Sequence, residues 1–129
     1  MVFVSASIII DDKKILLVKR AKTVKLFPGF WTIPGGGREE DELAEEIAIR
    51  ETKEEVGLDF TPNKLFKKWE SKTGNLVHTF LGGYSGDIIL QPEEIEDYGW
   101  FNYDEAEKLD WAFQFKEILP LLKEQKLIE

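Results

Sequence analysis

The chain has 129 residues, 43% hydrophobic and 33% charged, with a formal net charge of −8. That length suits one domain, residues 1–129, with a sizeable core, and no apolar run approaches the roughly 20 residues that span a bilayer. The acidic balance argues against an extended nucleic-acid surface, and the lack of cysteine excludes disulfides and thiolate metal sites, as in a cytoplasmic protein.

Met1-Val2-Phe3-Val4 has no basic region before its apolar residues, so it reads as strand rather than signal peptide. Val2 to Ile10 is an apolar, β-branched run expected to form a buried strand. Asp11-Asp12-Lys13-Lys14 turns the chain, and Ile15 to Lys19 returns antiparallel. Lys19, Arg20, Lys22 and Lys25 form the basic cluster of the N-terminal half. Phe27 and Phe30 follow in the loop Thr23 to Phe30, balanced between core packing and base stacking, whereas Trp31 reads as core. Trp31 to Ile33 is a short strand feeding Pro34 and the glycines Gly35, Gly36 and Gly37. These read as a turn whose carbonyls and N–H groups can approach a metal or a phosphate.

A helix carrying Glu51, Glu54 and Glu55 comes next. At roughly 100° per residue the three carboxylates share one arc, where like charges repel by roughly a few tenths of a kcal/mol per pair. A divalent cation reverses that sign, because hard ions such as Mg²⁺ take carboxylate oxygens. The competing reading is a solvated acidic helix. Ala44 and Ala48 lie near the angular position of Glu51 and Glu55, so this arc does not alternate Glu with Lys as a surface helix would.

From Gly36 to Leu58 the residues match a pattern. Gly36 is followed after five residues by Glu42, and seven more lead to Arg50-Glu51, then Thr52, Glu54-Glu55, Gly57 and Leu58. This resembles the box of the Nudix hydrolases, G-x5-E-x7-R-E-U-x-E-E-x-G-U with U aliphatic. Eight of its nine specified positions agree, and Thr52 stands at the first aliphatic one, where it is expected to cost packing at most. Leu43 stands where many members carry Ser or Thr, which leaves Asp41 as the expected helix cap.

The resemblance implies an α/β/α sandwich around a mixed sheet and hydrolysis of a phosphoanhydride with Mg²⁺ or Mn²⁺. Glu51, Glu54 and Glu55, with the Gly35 or Gly36 carbonyl, would hold the metal. Arg50 would orient these carboxylates through ion pairs, for instance with Glu42 or Glu46. Arg20 would contact substrate phosphate. A glutamate loop before a Trp-Phe strand would add a ligand or general base, with Glu94 first and Glu93 and Glu96 behind it; Glu51 is the other candidate base. The expected substrate is a small nucleotide, foremost a (d)NTP cleaved to NMP and pyrophosphate in the manner of MutT, by a monomer or homodimer. ADP-ribose, nucleotide sugars and dinucleoside polyphosphates are alternatives. The proline that many ADP-ribose-hydrolysing members carry is not evident at Lys72-Thr73-Gly74-Asn75, and Pro34-Gly35-Gly36-Gly37 stands where dinucleoside-polyphosphate members often read Pro-Lys-Gly-His. A non-catalytic nucleotide-binding regulator is the reading from another class, although such domains usually lose box carboxylates.

Beyond the box, Thr61-Pro62-Asn63 is expected to turn. Strands are expected at Leu65 to Ser71 and Leu76 to Tyr84, joined by the hairpin residues Thr73-Gly74-Asn75. His78 in the second of these reads as structural, and Gly82-Gly83 as a bulge or a close approach. Ser85 to Leu90 suggests another strand, followed by the acidic loop at 91–97 and the strand around Trp100-Phe101. A short helix to Leu109 with Asp104 as cap precedes an amphipathic helix from Phe113 to Lys126, kinked at Pro120. Trp111, Phe113 and Phe115 read mainly as core, with a base pocket at the start of that helix as the alternative.

Overall fold

The computed structural model describes residues 2–129. The chain forms two compact units, one from the residues up to Ile9 together with Pro34–Ile89, the other from Ile10–Ile33 and Leu90–Glu129. Among the described residues, no helix is long and apolar enough to cross a membrane. The fold class is α/β with a mixed sheet.

In the first unit, β1 (Phe3–Asp11) runs parallel to β6 (Leu76–Ser85) and antiparallel to β4 (Gly35–Gly37), while β5 (Asp59–Glu70) pairs antiparallel with β6. The glycines expected as a turn are therefore a strand. Val4, Ser5 and Ala6 face Gly37, Gly36 and Gly35 across the ladder. A Cβ on Gly35 would come within 2.6 Å of the Ser5 carbonyl oxygen and 2.7 Å of the Ala6 Cβ, so this strand approaches β1 more closely than a side chain permits. Thr61-Pro62-Asn63 does not turn either. It lies inside the twelve-residue β5, and a register shift between Pro62 and Lys64 absorbs the proline as a bulge. Facing it, Gly82 lies so near the Thr61 carbonyl that no Cβ fits, which is the close approach expected there. The residues after Ser85 up to Leu90 form no strand.

The helix α1 (Ala44–Val56) is rich in Ala, Glu, Arg and Lys, all good helix formers. Its cap is Leu43 rather than Asp41, because Glu46 reaches back to accept the Leu43 N–H at 2.8 Å. A leucine side chain cannot accept a hydrogen bond, so only this half of a capping box exists. Gly57 ends the helix in the left-handed region, φ 75°, donating its N–H to the Lys53 carbonyl at 3.0 Å. Ile47, Ala48, Thr52, Glu55 and Val56 make its buried face. Truncating Ile47, 1% exposed, to alanine would cost about 2–5 kcal/mol.

The second unit is built on β2 (Lys14–Arg20), flanked by β3 (Trp31–Thr32) and β7 (Ile95–Phe101), both antiparallel. Asp12 and Lys13 both have positive φ, 50° and 62°, so the turn into β2 is the two-residue kind that matches strand twist. Two short helices follow, α2 (Tyr103–Glu107) and α3 (Ile118–Glu124). Asn102, not Asp104, caps α2: its side chain accepts the Glu105 N–H while Glu105 accepts that of Asn102. The helix expected from Phe113 begins as a 3-10 turn at Phe115–Glu117. Pro120 then falls in the first turn of α3, where its missing N–H breaks no bond, so it kinks nothing.

Candidate functional site

The box residues assemble in the first unit around Arg50, whose side chain is 20% exposed. Its guanidinium grips Glu42 with a two-pronged contact, Nε to Oε2 at 2.7 Å and Nη2 to Oε1 at 2.9 Å. Nη1 donates to Glu51 at 2.6 Å and to Glu54 at 3.2 Å, and Nη2 also reaches the Gly37 carbonyl at 2.8 Å. The planar fork of arginine makes this possible; a lysine ammonium would not satisfy so many acceptors at once. The Glu42 hydrogen bonds raise the Arg50 pKa further, with Glu51 adding to the effect. In return Arg50, then the Glu39 N–H, hold the Glu42 carboxyl below its usual value. Glu46, the other suggested partner of Arg50, is the cap acceptor described above.

Glu55 is 5% exposed and accepts the Gly35 N–H at 3.0 Å, which ties the helix to the glycine strand. Glu51 and Glu55 each offer a carboxylate oxygen within 4.8 Å of the other. A Cβ at Gly36 would run into the Glu51 carboxylate, so the glycine is what lets Glu51 lie against the strand. Glu54 has the most exposed side chain of the three, at 45%. The donors here are carboxylate and carbonyl oxygens only. That set suits Mg²⁺ or Mn²⁺ and not a thiophilic ion.

Arg20, Phe27 and Phe30 come together in the second unit, joined by Phe113, which the sequence suggests mainly as core with a base pocket as the alternative. Phe113 is 42% exposed. The Phe27 ring meets Phe113 edge-on at 4.9 Å and Phe30 at 5.7 Å, and the Arg20 guanidinium lies 5.1 Å from the Phe113 ring centre. Arg20 Nε also donates to the Leu26 carbonyl at 2.8 Å. Both Phe27 and Phe113 have positive φ, 48° and 59°, a strained backbone for a bulky residue. No local pattern announces Phe113, because it is separated from Phe27 by most of the chain.

Glu94 is exposed, in the turn that leads into β7, and its carbonyl accepts the Ala21 N–H at 2.8 Å. Glu96 is committed elsewhere: it accepts the Lys22 N–H at 3.1 Å and pairs with Lys19 at 3.4 Å. His78 is half-buried and stacked on Phe80, and burial, then Lys68, pushes its pKa down.

The NUDIX domain model matches residues 1–122. Nucleoside triphosphatase NudI of Salmonella agona is 30% identical over 120 residues, covering 78% of this chain and 81% of that protein. NAD-capped RNA hydrolase NudC of Stutzerimonas stutzeri is 34% identical over 89 residues, 65% of this chain. The chain spans only about a third of that relative's length (31%). Among solved structures, a MutT protein from Methanosarcina mazei Go1 superposes with a TM-score of 0.79 at 20% identity, covering 96% of this chain and 94% of that one. An ADP-ribose pyrophosphatase from Streptococcus suis 89-1591 gives 0.76 at 22%, covering 98% and 89%. These structural likenesses speak to fold, and the family follows from the sequence match: the chain belongs to the Nudix hydrolases.

Proposed function

We propose that this chain is a divalent-metal-dependent pyrophosphohydrolase of small nucleotides, foremost a (d)NTP cleaved to NMP and pyrophosphate, acting as a single domain. The observation that carries the reading is the carboxylate set on α1, complete and gathered by Arg50, with Glu55 tied to the glycine strand. Glu51, Glu54 and Glu55, with the Gly35 or Gly36 carbonyl, would hold Mg²⁺ or Mn²⁺. Such an ion supplies charge neutralisation for a diphosphate and a water acidic enough to attack at neutral pH.

The chain's own residues do the rest. Arg50 keeps Glu51 and Glu54 from repelling each other and fixes their rotamers. Glu51 or Glu94 takes the proton from the attacking water. Arg20 meets a substrate phosphate, and the exposed rings of Phe27, Phe30 and Phe113 offer a face to a base, an interaction worth roughly 1–3 kcal/mol per stacked base. That NudI, matched over 81% of its length, is a nucleoside triphosphatase supports the triphosphate reading. The ADP-ribose pyrophosphatase neighbour keeps ADP-ribose as the second reading.

The test is product release from a nucleotide panel with Mg²⁺ or Mn²⁺, including dNTPs, ADP-ribose and a dinucleoside polyphosphate. Monophosphate and pyrophosphate from a dNTP, formed only with metal, are expected. No metal-dependent turnover of any panel member contradicts the proposal.

A further inference from the structure

The one departure from the Nudix box is Thr52, and its hydroxyl is engaged. Thr52 and Ser7 are both fully buried, and their side-chain oxygens are 2.7 Å apart; Ser7 Oγ also lies 3.4 Å from the Ala48 carbonyl. An aliphatic residue at position 52 could pack there but could not make this bond. Ser7 is also the residue whose backbone N–H donates to the Pro34 carbonyl at 2.8 Å, immediately before the glycine strand. One residue of β1 therefore holds the approach to β4 with its backbone and the carboxylate helix with its side chain. Along β1 the ladder to β4 continues at once, Ala6 opposite Gly35 and Ser5 opposite Gly36.

We infer that the Ser7–Thr52 hydrogen bond is a positioning device, setting the height of α1 against β4 and hence the spacing between the carboxylates and the Gly35–Gly36 backbone. Thr52 lies directly after Glu51, and Glu55 follows three residues later. Two of the other links between helix and glycine strand run through groups assigned to the metal, Glu55 with the Gly35 N–H and Glu51 against Gly36, and a third joins Arg50 to the Gly37 carbonyl. The Ser7–Thr52 bond fixes the same register without using a ligand. A hydrogen bond between buried hydroxyls is directional and short, whereas a methyl contact tolerates sliding. Groups that orient metal ligands from behind typically change metal affinity by about 10–100-fold when removed.

The inference rests on the metal reading above, and the experiment separates the two. Direct Mn²⁺ binding to the nucleotide-free protein is measured, by calorimetry or by the Mn²⁺ paramagnetic resonance signal. Thermal unfolding of the same proteins is measured alongside. The variants are Thr52→Val, Thr52→Ser and the double variant Ser7→Ala/Thr52→Val. Replacing both partners with apolar groups leaves no unsatisfied hydroxyl, so the double variant is expected to unfold near the wild-type temperature. It should nevertheless bind Mn²⁺ about tenfold more weakly. Thr52→Val should be weakened similarly, and Thr52→Ser should restore binding because it keeps the hydroxyl. Wild-type Mn²⁺ affinity in the double variant overturns the inference while leaving the metal reading standing. A wild type that binds no Mn²⁺ overturns both.

Discussion

Arg50 and Arg20 carry the same guanidinium into opposite surroundings. In the first unit Arg50 is enclosed by Glu42, Glu51, Glu54 and the Gly37 carbonyl, a charge-dense polar cluster. In the second unit Arg20 lies over the Phe113 ring beside Phe27 and donates to the Leu26 carbonyl. Arginine serves the first as a hydrogen-bonding fork and the second as a flat cation on an aromatic face. On the proposed reading, the first unit would grip phosphate through a bound cation and the second would meet a planar, partly anionic ligand.

The sharpest way to break that contrast is to neutralise the carboxylates. Glu54→Gln and Glu55→Gln should each lower kcat with a dNTP by roughly 10²–10⁴-fold with the fold intact by circular dichroism. Equal activity in both variants would remove metal chemistry from this helix. Arg50→Ala comes next. It leaves Glu39, Glu42, Glu51 and Glu54 without their shared cation, so stability should fall by about 2–4 kcal/mol in denaturant titrations. Arg50→Lys should recover little, because lysine cannot make the fork. If lysine restores full stability, Arg50 acts as a charge alone.

Much of this first region is legible from spacing because its parts lie close in sequence. Arg50, Glu51, Glu54 and Glu55 sit within two turns of one helix, so the 3.6-residue period places them, and Glu42 lies just ahead of that helix, eight residues before Arg50. The glycines were misread for an equally physical reason. Gly-rich sequence usually marks a turn, and the β1 ladder that extends Gly35–Gly37 pairs them with residues some thirty positions earlier. Thr61-Pro62-Asn63 failed the same way, since pairing with β6 overrides the local turn preference. In the second region the sequence singles out Arg20, Phe27 and Phe30, and Phe113 reads mainly as core with a base pocket as the alternative. Its contact with Phe27 spans most of the chain and depends on two residues at positive φ, which no periodicity signals. Thr52 looked like a packing change only, because its partner Ser7 is 45 residues away.

Smaller perturbations sharpen the comparison. Gly36→Ala should push the Glu51 carboxylate aside, since that side-chain end is what the new methyl meets, and weaken Mn²⁺ binding about tenfold with little loss of Tm. Gly35→Ala should instead destabilise the fold, because its methyl meets the β1 backbone. If the two variants behave alike, the division between ligand spacing and strand packing is wrong. In the second region, Phe113→Gly removes a ring and relieves a positive φ. KM for a dNTP should rise about tenfold while Tm changes little. An unchanged KM would take Phe113 out of substrate recognition.

The smallest effect is in pH dependence. The folded state holds the Glu42 carboxyl below its usual 4.5, so its stabilising contribution is complete above that pH and is lost as pH falls through the lower folded value. His78 is likewise pushed below its usual 6.5, which adds a loss that begins at milder acidity, as the fold must give up the neutral ring. Glu42→Gln should flatten the acid limb of a stability-versus-pH curve below about 4.5 and leave the region near neutrality parallel to wild type. An unchanged acid limb would mean that the Arg50–Glu42 grip is not retained in solution.

The most direct measurement is a crystal structure with Mn²⁺ and a non-hydrolysable deoxynucleotide analogue, locating the ion by its anomalous scattering. The account predicts the Mn²⁺ peak among Glu51, Glu54, Glu55 and the Gly35–Gly36 carbonyls, touching the diphosphate of the analogue. A peak elsewhere, with those glutamates still wrapped around Arg50 or turned to solvent, would contradict it.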